Sequence, residues 1–275
     1  MSAIRKSSFA VAADKLPGNA AHAVRALYDA CRQVDDLADE LGGSAGHAAL
    51  TDLLEDLEQG SARSEAAAIF LRLNEARQLD LAPARLLVTT VRGDLEHRPF
   101  ETMDALNEYA QGVAGTVGLM MCDVFDVRDR EARAKGAALG RAMQLTNIAR
   151  DVFADAQLGR RYLPSSLCPV SPAHLATGKA VSSPQVRSAI ESVLDEAETL
   201  YARGLRGLPA LAPAPRLAVA TAALSYRDIG RRIAAAGHYP PQTRMRAQGL
   251  RRFALGLQAV AIAAFASRKG VSHAA

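Results

Sequence analysis

Two acidic clusters, Asp35-Asp36-Leu37-Ala38-Asp39 and Asp151-Val152-Phe153-Ala154-Asp155, constrain the fold of this chain more than any other feature. They lie about 115 positions apart, and each sets carboxylates at i and i+4. On a helix, both members of such a pair project from one face, about 5–6 Å apart. Neither cluster contains a basic residue of its own. A fold that brings the two faces together inside the protein must place cations between them, because unpaired buried carboxylates are costly to desolvate. Carboxylates are hard oxygen donors suited to Mg²⁺, which keeps several waters and is usually held by one or two carboxylates plus the phosphate oxygens of a substrate. The pattern therefore points to a diphosphate held by magnesium.

Acidic pairs of this spacing are also common on solvated helix faces. Their company argues against that here. Tyr28, Arg32, Asp35, Asp36 and Asp39 fall on one side of a helix, and Gln144, Asn147, Asp151 and Asp155 on one side of another. A solvated stripe seldom mixes tyrosine, amides and carboxylates in this way.

The rest of the chain reads as helix. At 275 residues it is long enough for one large core, and nothing in it marks a linker, so a single domain over 1–275 is expected. Alanine, leucine and arginine recur, only 5% of residues are aromatic, and no segment alternates in the manner of a strand. Periodicity and turn residues predict helices to about Leu41, over 46–58, 62–77 and 82–96, and from a Thr102 cap to about Phe125. Further helices are predicted over 130–156, 183–206, 213–236 and 243–267, with 165–182 as a loop. Gly112, Gly115 and Gly118 lie inside this pattern, each costing about 1 kcal/mol relative to alanine. Either the helix breaks there or space is being made beside it. Arg160 and Arg161, just past the second cluster, can turn toward the same acidic pocket.

Charge and cysteines exclude several classes. Cys31, Cys122 and Cys168 are odd in number and widely spaced, which suits buried thiols of a cytoplasmic protein rather than a zinc site or disulfide framework. Met1 to Phe9 carries Arg5 and Lys6 without a following apolar segment, so no secretory signal is expected. The longest apolar runs are too short to cross a bilayer, which suits a soluble or peripheral protein. The net charge of +4, with arginines clustered at Arg227–Arg232 and Arg244–Arg252, suits anionic partners. Without interleaved aromatics or a binding motif, nucleic acid is not expected among them.

Several motifs in order resemble a known family. They are Ser7-Ser8-Phe9, Tyr28-x-x-Cys31-Arg32-x-x-Asp35-Asp36-x-x-Asp39 and Val113-Ala114-Gly115-Thr116-Val117-Gly118, followed by Gln144-Leu145-Thr146-Asn147-Ile148-x-Arg150-Asp151-Val152-x-x-Asp155 and Gly159-Arg160-x-Tyr162-Leu163-Pro164. Together they resemble the squalene and phytoene synthases, the head-to-head members of the all-α isoprenoid diphosphate synthases. The resemblance implies an all-α, single-domain helical bundle with a central active-site cavity. It implies that Asp35, Asp39, Asp151 and Asp155, assisted by Asp36 and Asn147, bind two or three Mg²⁺ ions, with Mn²⁺ as an alternative. Ser8, Phe9, Arg32, Gln144, Asn147, Arg150, Arg161, Tyr162 and Tyr226 are the residues expected to contact the substrate diphosphates and the allylic chain. Tyr28 and Tyr109 are expected beside the reacting carbons, with a packed core tyrosine as the alternative for each. A structural salt bridge to a neighbouring aspartate is the alternative for each of Arg32, Arg150 and Arg161.

The reaction implied is the 1-1′ condensation of two prenyl diphosphates through a cyclopropyl diphosphate, with release of diphosphate. The spellings Gly115-Thr116-Val117-Gly118-Leu119-Met120-Met121 and Tyr226-Arg227-Asp228-Ile229-Gly230 look most like bacterial phytoene synthases, so geranylgeranyl diphosphate and phytoene are favoured, without NADPH. The opening, Lys6 to Glu40, is equally similar to bacterial presqualene diphosphate synthases, so a squalene-type reaction on farnesyl diphosphate stays open. A catalytically silent assembly protein is a second alternative. The product class suggests a peripheral position at the inner face of the cytoplasmic membrane. Three departures from the family pattern stand out: Asp29 after the first tyrosine, Tyr109-Ala110-Gln111 where a second aromatic is common, and Val91-Arg92-Gly93-Asp94, which keeps only an aspartate of the usual element.

Overall fold

A 28-residue helix carrying the second acidic cluster organises the chain. The computed structural model describes residues 16, 18–77, 79–96, 98–178, 183–236 and 259. Among them the helices are α1 (Gly18–Asp36), α2 (Gly43–Gln59), α3 (Glu65–Arg77), α4 (Leu81–Asp94), α5 (Met103–Ala110), α6 (Thr116–Val124), α7 (Arg130–Gln157), α8 (Pro172–Leu175), α9 (Pro184–Leu205) and α10 (Pro213–Ala236). No strand occurs among the described residues, so the fold is all-α. Apart from Ala259, which is helical and buried, the predicted helix over 243–267 lies outside them, as do the arginines at 244–252, Ser8 and Phe9.

Local chemistry starts the helices where expected. Thr102 accepts the Ala105 amide at 3.2 Å to open α5, and Asp129 accepts that of Ala132 at 2.7 Å to open α7. Ser183 caps α9 with Pro184 in its first turn, a position where proline's missing N–H costs nothing. Inside the predicted loop, Ser171 and Pro172 start the short α8 by the same device.

Two helices predicted as continuous are interrupted by a π-helical turn. Leu37–Leu41 follows α1, ended by Gly42 and Gly43 at φ 58° and 43°. Gln111–Gly115 joins α5 to α6. Single π turns inside helices often mark functional sites, and both of these adjoin the acidic face. The glycine-rich stretch therefore does break the α-helical ladder. Its glycines also permit close contact: a Cβ on Gly112 would collide with the Thr90 side chain, and one on Gly118 with the Gly136 carbonyl.

Beside two small clusters, around Leu208 and around Cys122, most of the buried apolar side chains gather in two large bodies. One unites α1 to α4 with Met120 and Val124 of α6, around Leu27, Leu50, Leu57 and Phe70. The other unites α5, α7, α9 and α10, around Leu145, Val193, Leu200 and Tyr201. α7 packs on α5, α6, α8, α9, α10 and the second π turn, so it borders nearly everything on its side. Its inner face bears Leu145, Ala149 and Val152, while Gln144, Asn147, Asp151 and Asp155 face the first body. No described helix is long and apolar enough to cross a membrane.

Candidate active site

The acidic faces of α1 and α7 meet across a cavity of about 370 Å³ lined by Asp35, Asp39, Asp151 and Asp155. Gln144, Asn147, Arg150, Tyr109 and Tyr162 also line it. A second cavity, of about 200 Å³, lies beside it, walled by apolar and small side chains such as Val117, Met121, Phe125, Leu139, Leu208 and Val219. Gln144 and Asn147 belong to both walls, so the polar chamber and the apolar one adjoin at these two amides.

The electrostatics are those of a site built for cations. Burial, then Asp39 and Asp36, push the Asp35 carboxyl up to about 7 against the pull of Arg32. Burial and Asp151 push Asp155 up to about 7 as well, although Arg160 and Arg150 pull it down. The Asn147 side-chain oxygen is buried without a hydrogen-bond partner. An orphaned oxygen acceptor is costly, and here it stands in a wall of carboxylates. Among the described residues, no three His, Cys, Asp or Glu side chains stand close enough to hold one ion between them. The donor set therefore suits a hard divalent ion that takes one or two protein oxygens and completes its shell from water and a bound phosphate. On that basis the residues present fit Mg²⁺.

Three arginines expected at the diphosphate are each engaged with protein partners, and only Arg150 lines the cavity. Arg150 grips the Asp151 carboxylate through two hydrogen bonds, with Nε at 2.8 Å. Arg32 pairs with Asp36 at 3.3 Å on a half-exposed face, and neither lines the cavity. Arg161 turns away: it donates to the Val170 carbonyl at 2.9 Å and to the Ser165 hydroxyl at 2.7 Å. Arg160 takes its place in the wall and reaches across to Asp39 at 2.9 Å. The reason is local. Gly159, at φ 78°, reverses the chain after α7, and the Arg160 amide donates to the Asp155 carbonyl, which fixes residue 160 at the cavity rim.

The tyrosines divide likewise. Tyr109 and Tyr162 donate their hydroxyls to the same oxygen of Asp94, at 3.1 and 2.7 Å, and stack with ring centroids 5.4 Å apart. Phe100 completes the cluster, 5.0 Å from Tyr109. Burial, then Asp94, raise both phenols, so they stay protonated. Tyr28 lines neither cavity, and Tyr226 lines the apolar chamber rather than the polar one. Burial, then Glu65 of α3, raise the Asp29 carboxyl, and Asp29 lines neither cavity.

Asp94 and Arg160 are charged wall residues outside the expected site set. Each carries a signal in the sequence: Asp94 is the surviving aspartate of an altered element, and Arg160, expected with Arg161 to be able to turn toward the pocket, is the motif arginine of Gly159-Arg160-x-Tyr162. The expectation assigned the diphosphate to Arg161, the neighbour that points away, because consecutive residues after a helix end point in different directions.

An acidic chamber that adjoins an apolar one suits a ligand with an anionic head and an apolar tail, the kind of substrate a prenyl-transferring enzyme handles. Comparison with known proteins agrees. The profile of the family described as squalene/phytoene synthase matches residues 4–251. A 15-cis-phytoene synthase of Paracoccus sp. (strain N81106 / MBIC 01143) is 35% identical over 241 residues, which cover 84% of this chain and 79% of that protein. One from Enterobacter agglomerans is 33% identical, covering 85% of this chain and 84% of its own. Among solved structures, a dehydrosqualene synthase in complex with ligand superposes with a TM-score of 0.80 at 30% identity, covering 92% of this chain and 90% of that one. The chain belongs to the squalene/phytoene synthase family.

Proposed function

We propose that this protein, as a single helical domain, condenses two prenyl diphosphates head to head through a cyclopropyl diphosphate, taking two geranylgeranyl diphosphates to phytoene with release of diphosphate. The observation that carries the reading is the junction at Gln144 and Asn147, where a chamber suited to diphosphate meets one suited to a prenyl chain.

In this reading Asp35, Asp39, Asn147, Asp151 and Asp155 hold the divalent metal, Mg²⁺ or Mn²⁺. When bound, that metal supplies Lewis acidity and a template for the diphosphate oxygens. Arg150 holds Asp151 in place through its two-pronged contact. The apolar wall of Val117, Met121, Phe125 and Leu139 keeps water from the allylic cation left when diphosphate departs. Rings of Tyr109 and Tyr162 stand at the polar chamber, where their faces favour positive charge, and Asp94 fixes their hydroxyls. Tyr226 supplies a ring to the apolar chamber.

The phytoene reading draws support from the identity to the Paracoccus and Enterobacter enzymes, and needs no NADPH. A second reading, condensation of two farnesyl diphosphates, is favoured by the superposition on a dehydrosqualene synthase. The test is to incubate the protein with geranylgeranyl or farnesyl diphosphate and Mg²⁺, with and without NADPH, and to identify the extracted hydrocarbon. Phytoene from geranylgeranyl diphosphate without NADPH is the expected result. A product from farnesyl diphosphate alone moves the assignment to the second reading, and no diphosphate release from either substrate refutes both.

A further inference from the structure

The apolar chamber has a length that α7 measures. Its lining on that helix runs from Asn147 through Met143, Gly140 and Gly136 to Ala132. At the rise of an α-helix this is a span of about 22 Å, or about four turns. An isoprene unit has four chain bonds of about 1.5 Å and advances about 5 Å when extended, close to the pitch of one turn. The polar chamber adjoins at Asn147 and Gln144. A tail whose head lies there passes one turn of α7 per isoprene unit and reaches Ala132 with its fourth.

The far end is walled by a separate structure. Among the described residues, Cys122, Phe125, Val127, Ala132 and Leu211 line it and form a small apolar cluster of their own. Ala132 sits in the first turn of α7, so the wall there is the connection from α6 to α7. That connection is braced. Asp126, at φ 56°, turns the chain, and the Val127 amide donates back to the Cys122 carbonyl at 2.8 Å. Arg133 donates to the Val127 carbonyl at 3.2 Å and pairs with the buried Asp123 carboxylate, which also accepts the Asp80 amide at 3.3 Å. Breaking a buried pair leaves a charge uncompensated, so this wall does not yield readily to a longer ligand. The sides are equally firm, since Gly140 lies against the Ala114 carbonyl and Gly118 against that of Gly136.

We propose that the α6–α7 connection is the floor that sets prenyl length at four isoprene units, with Ala132 and Phe125 as the length-determining residues. The inference rests on the function proposed above and adds which side chains choose between farnesyl and geranylgeranyl diphosphate. Ala132 is the smallest side chain at this end and leaves room for the fourth unit. Phe125 is the largest and blocks a fifth. A farnesyl tail stops one turn short and forgoes the packing contacts of the last turn.

The test is kcat/KM for Mg²⁺-dependent diphosphate release from farnesyl, geranylgeranyl and geranylfarnesyl diphosphate, each supplied alone to the full chain. A ratio between lengths cancels any general loss of activity, so a merely structural role leaves it unmoved. The wild-type protein should prefer geranylgeranyl diphosphate. Ala132→Phe should lower the geranylgeranyl-to-farnesyl ratio at least about tenfold, on the scale of a group that no longer fits an apolar pocket. Phe125→Ala should raise the geranylfarnesyl-to-geranylgeranyl ratio by a similar factor. An unchanged ratio in either variant overturns the proposal. Circular dichroism checks the fold; should Ala132→Phe lose the wild-type helical spectrum, the Phe125→Ala ratio decides. Wild-type preference for farnesyl diphosphate moves the function to its second reading and overturns the four-unit floor. No diphosphate release by the wild-type protein from any of the three sinks the proposed function and this inference together. Wild-type release with ratios indifferent to both substitutions sinks the inference alone.

Discussion

Gly118 of α6 lies so close to Gly136 of α7 that a Cβ on residue 118 would collide with the Gly136 carbonyl. The obstacle is backbone, which cannot rotate away, and both glycines line the apolar chamber. Gly118→Ala should therefore push α6 from α7 and cost about 1–3 kcal/mol of stability, the usual price of overpacking. Chemical denaturation measures the loss. A stability equal to wild type would mean that the two helices do not approach this closely.

The two carboxyls raised to about 7 give a pH signature in the metal-free protein. The unfolded values of Asp35 and Asp155 lie near 3.8, so between about pH 4 and 7 the folded state binds more protons than the unfolded one. Their contribution is fully present below the lower value and is lost as pH rises through 7. Asp155→Asn should thus be more stable than wild type at pH 8 without metal, and the gap should shrink toward pH 5. Added Mg²⁺ should raise the wild-type melting temperature more at pH 8 than at pH 5.5. Equal metal-induced shifts at the two values would contradict the assignment of these groups to the cation site.

Diphosphate release should depend on the same faces. Asp35→Ala or Asp151→Ala is expected to lower turnover by at least about 100-fold, on the scale of losing a catalytic electrostatic contact. Turnover with added Mg²⁺ is the readout, and wild-type rates in both variants would remove these carboxylates from the site.

Asp94 accepts two phenolic hydrogen bonds on one oxygen. Asp94→Ala leaves both hydroxyls without that acceptor and should cost about 1–3 kcal/mol. Asp94→Asn keeps a carbonyl oxygen in place and should cost less. A thermal melt of the two variants distinguishes them; equal losses would mean that the charge, and not the acceptor, holds the tyrosines.

Arg161 and Arg160 should separate cleanly despite being adjacent. Arg161→Ala removes the links to Ser165 and the Val170 carbonyl, so stability should fall by about 1 kcal/mol while KM stays near wild type. A large rise in KM without loss of stability would place Arg161, after all, at the substrate.

Much of this was legible in the sequence, and the exceptions share a cause. Helix extents follow from caps and periodicity, as at Thr102, because those signals act within one turn of the chain. The π turns at Leu37–Leu41 and Gln111–Gly115 were hidden. They insert a residue into a pattern that still reads as helical, and Gln111–Gly115 packs against α4 and α7, which are distant in sequence.

The acidic clusters, read one at a time, determined that two helices would each present an oxygen-donor face, since a spacing of four fixes which side chains share a helix side. Sequence alone also identified Gln144, Asn147 and Tyr109 as site candidates. Only the tertiary structure decided that Arg160 and Asp94, not Arg161, Arg32 or Tyr28, complete the wall, and that Gln144 and Asn147 stand where a polar chamber meets an apolar one. Those outcomes depend on the chain reversal at Gly159 and on how closely α6 and α7 approach, which are set by contacts between residues far apart in the chain.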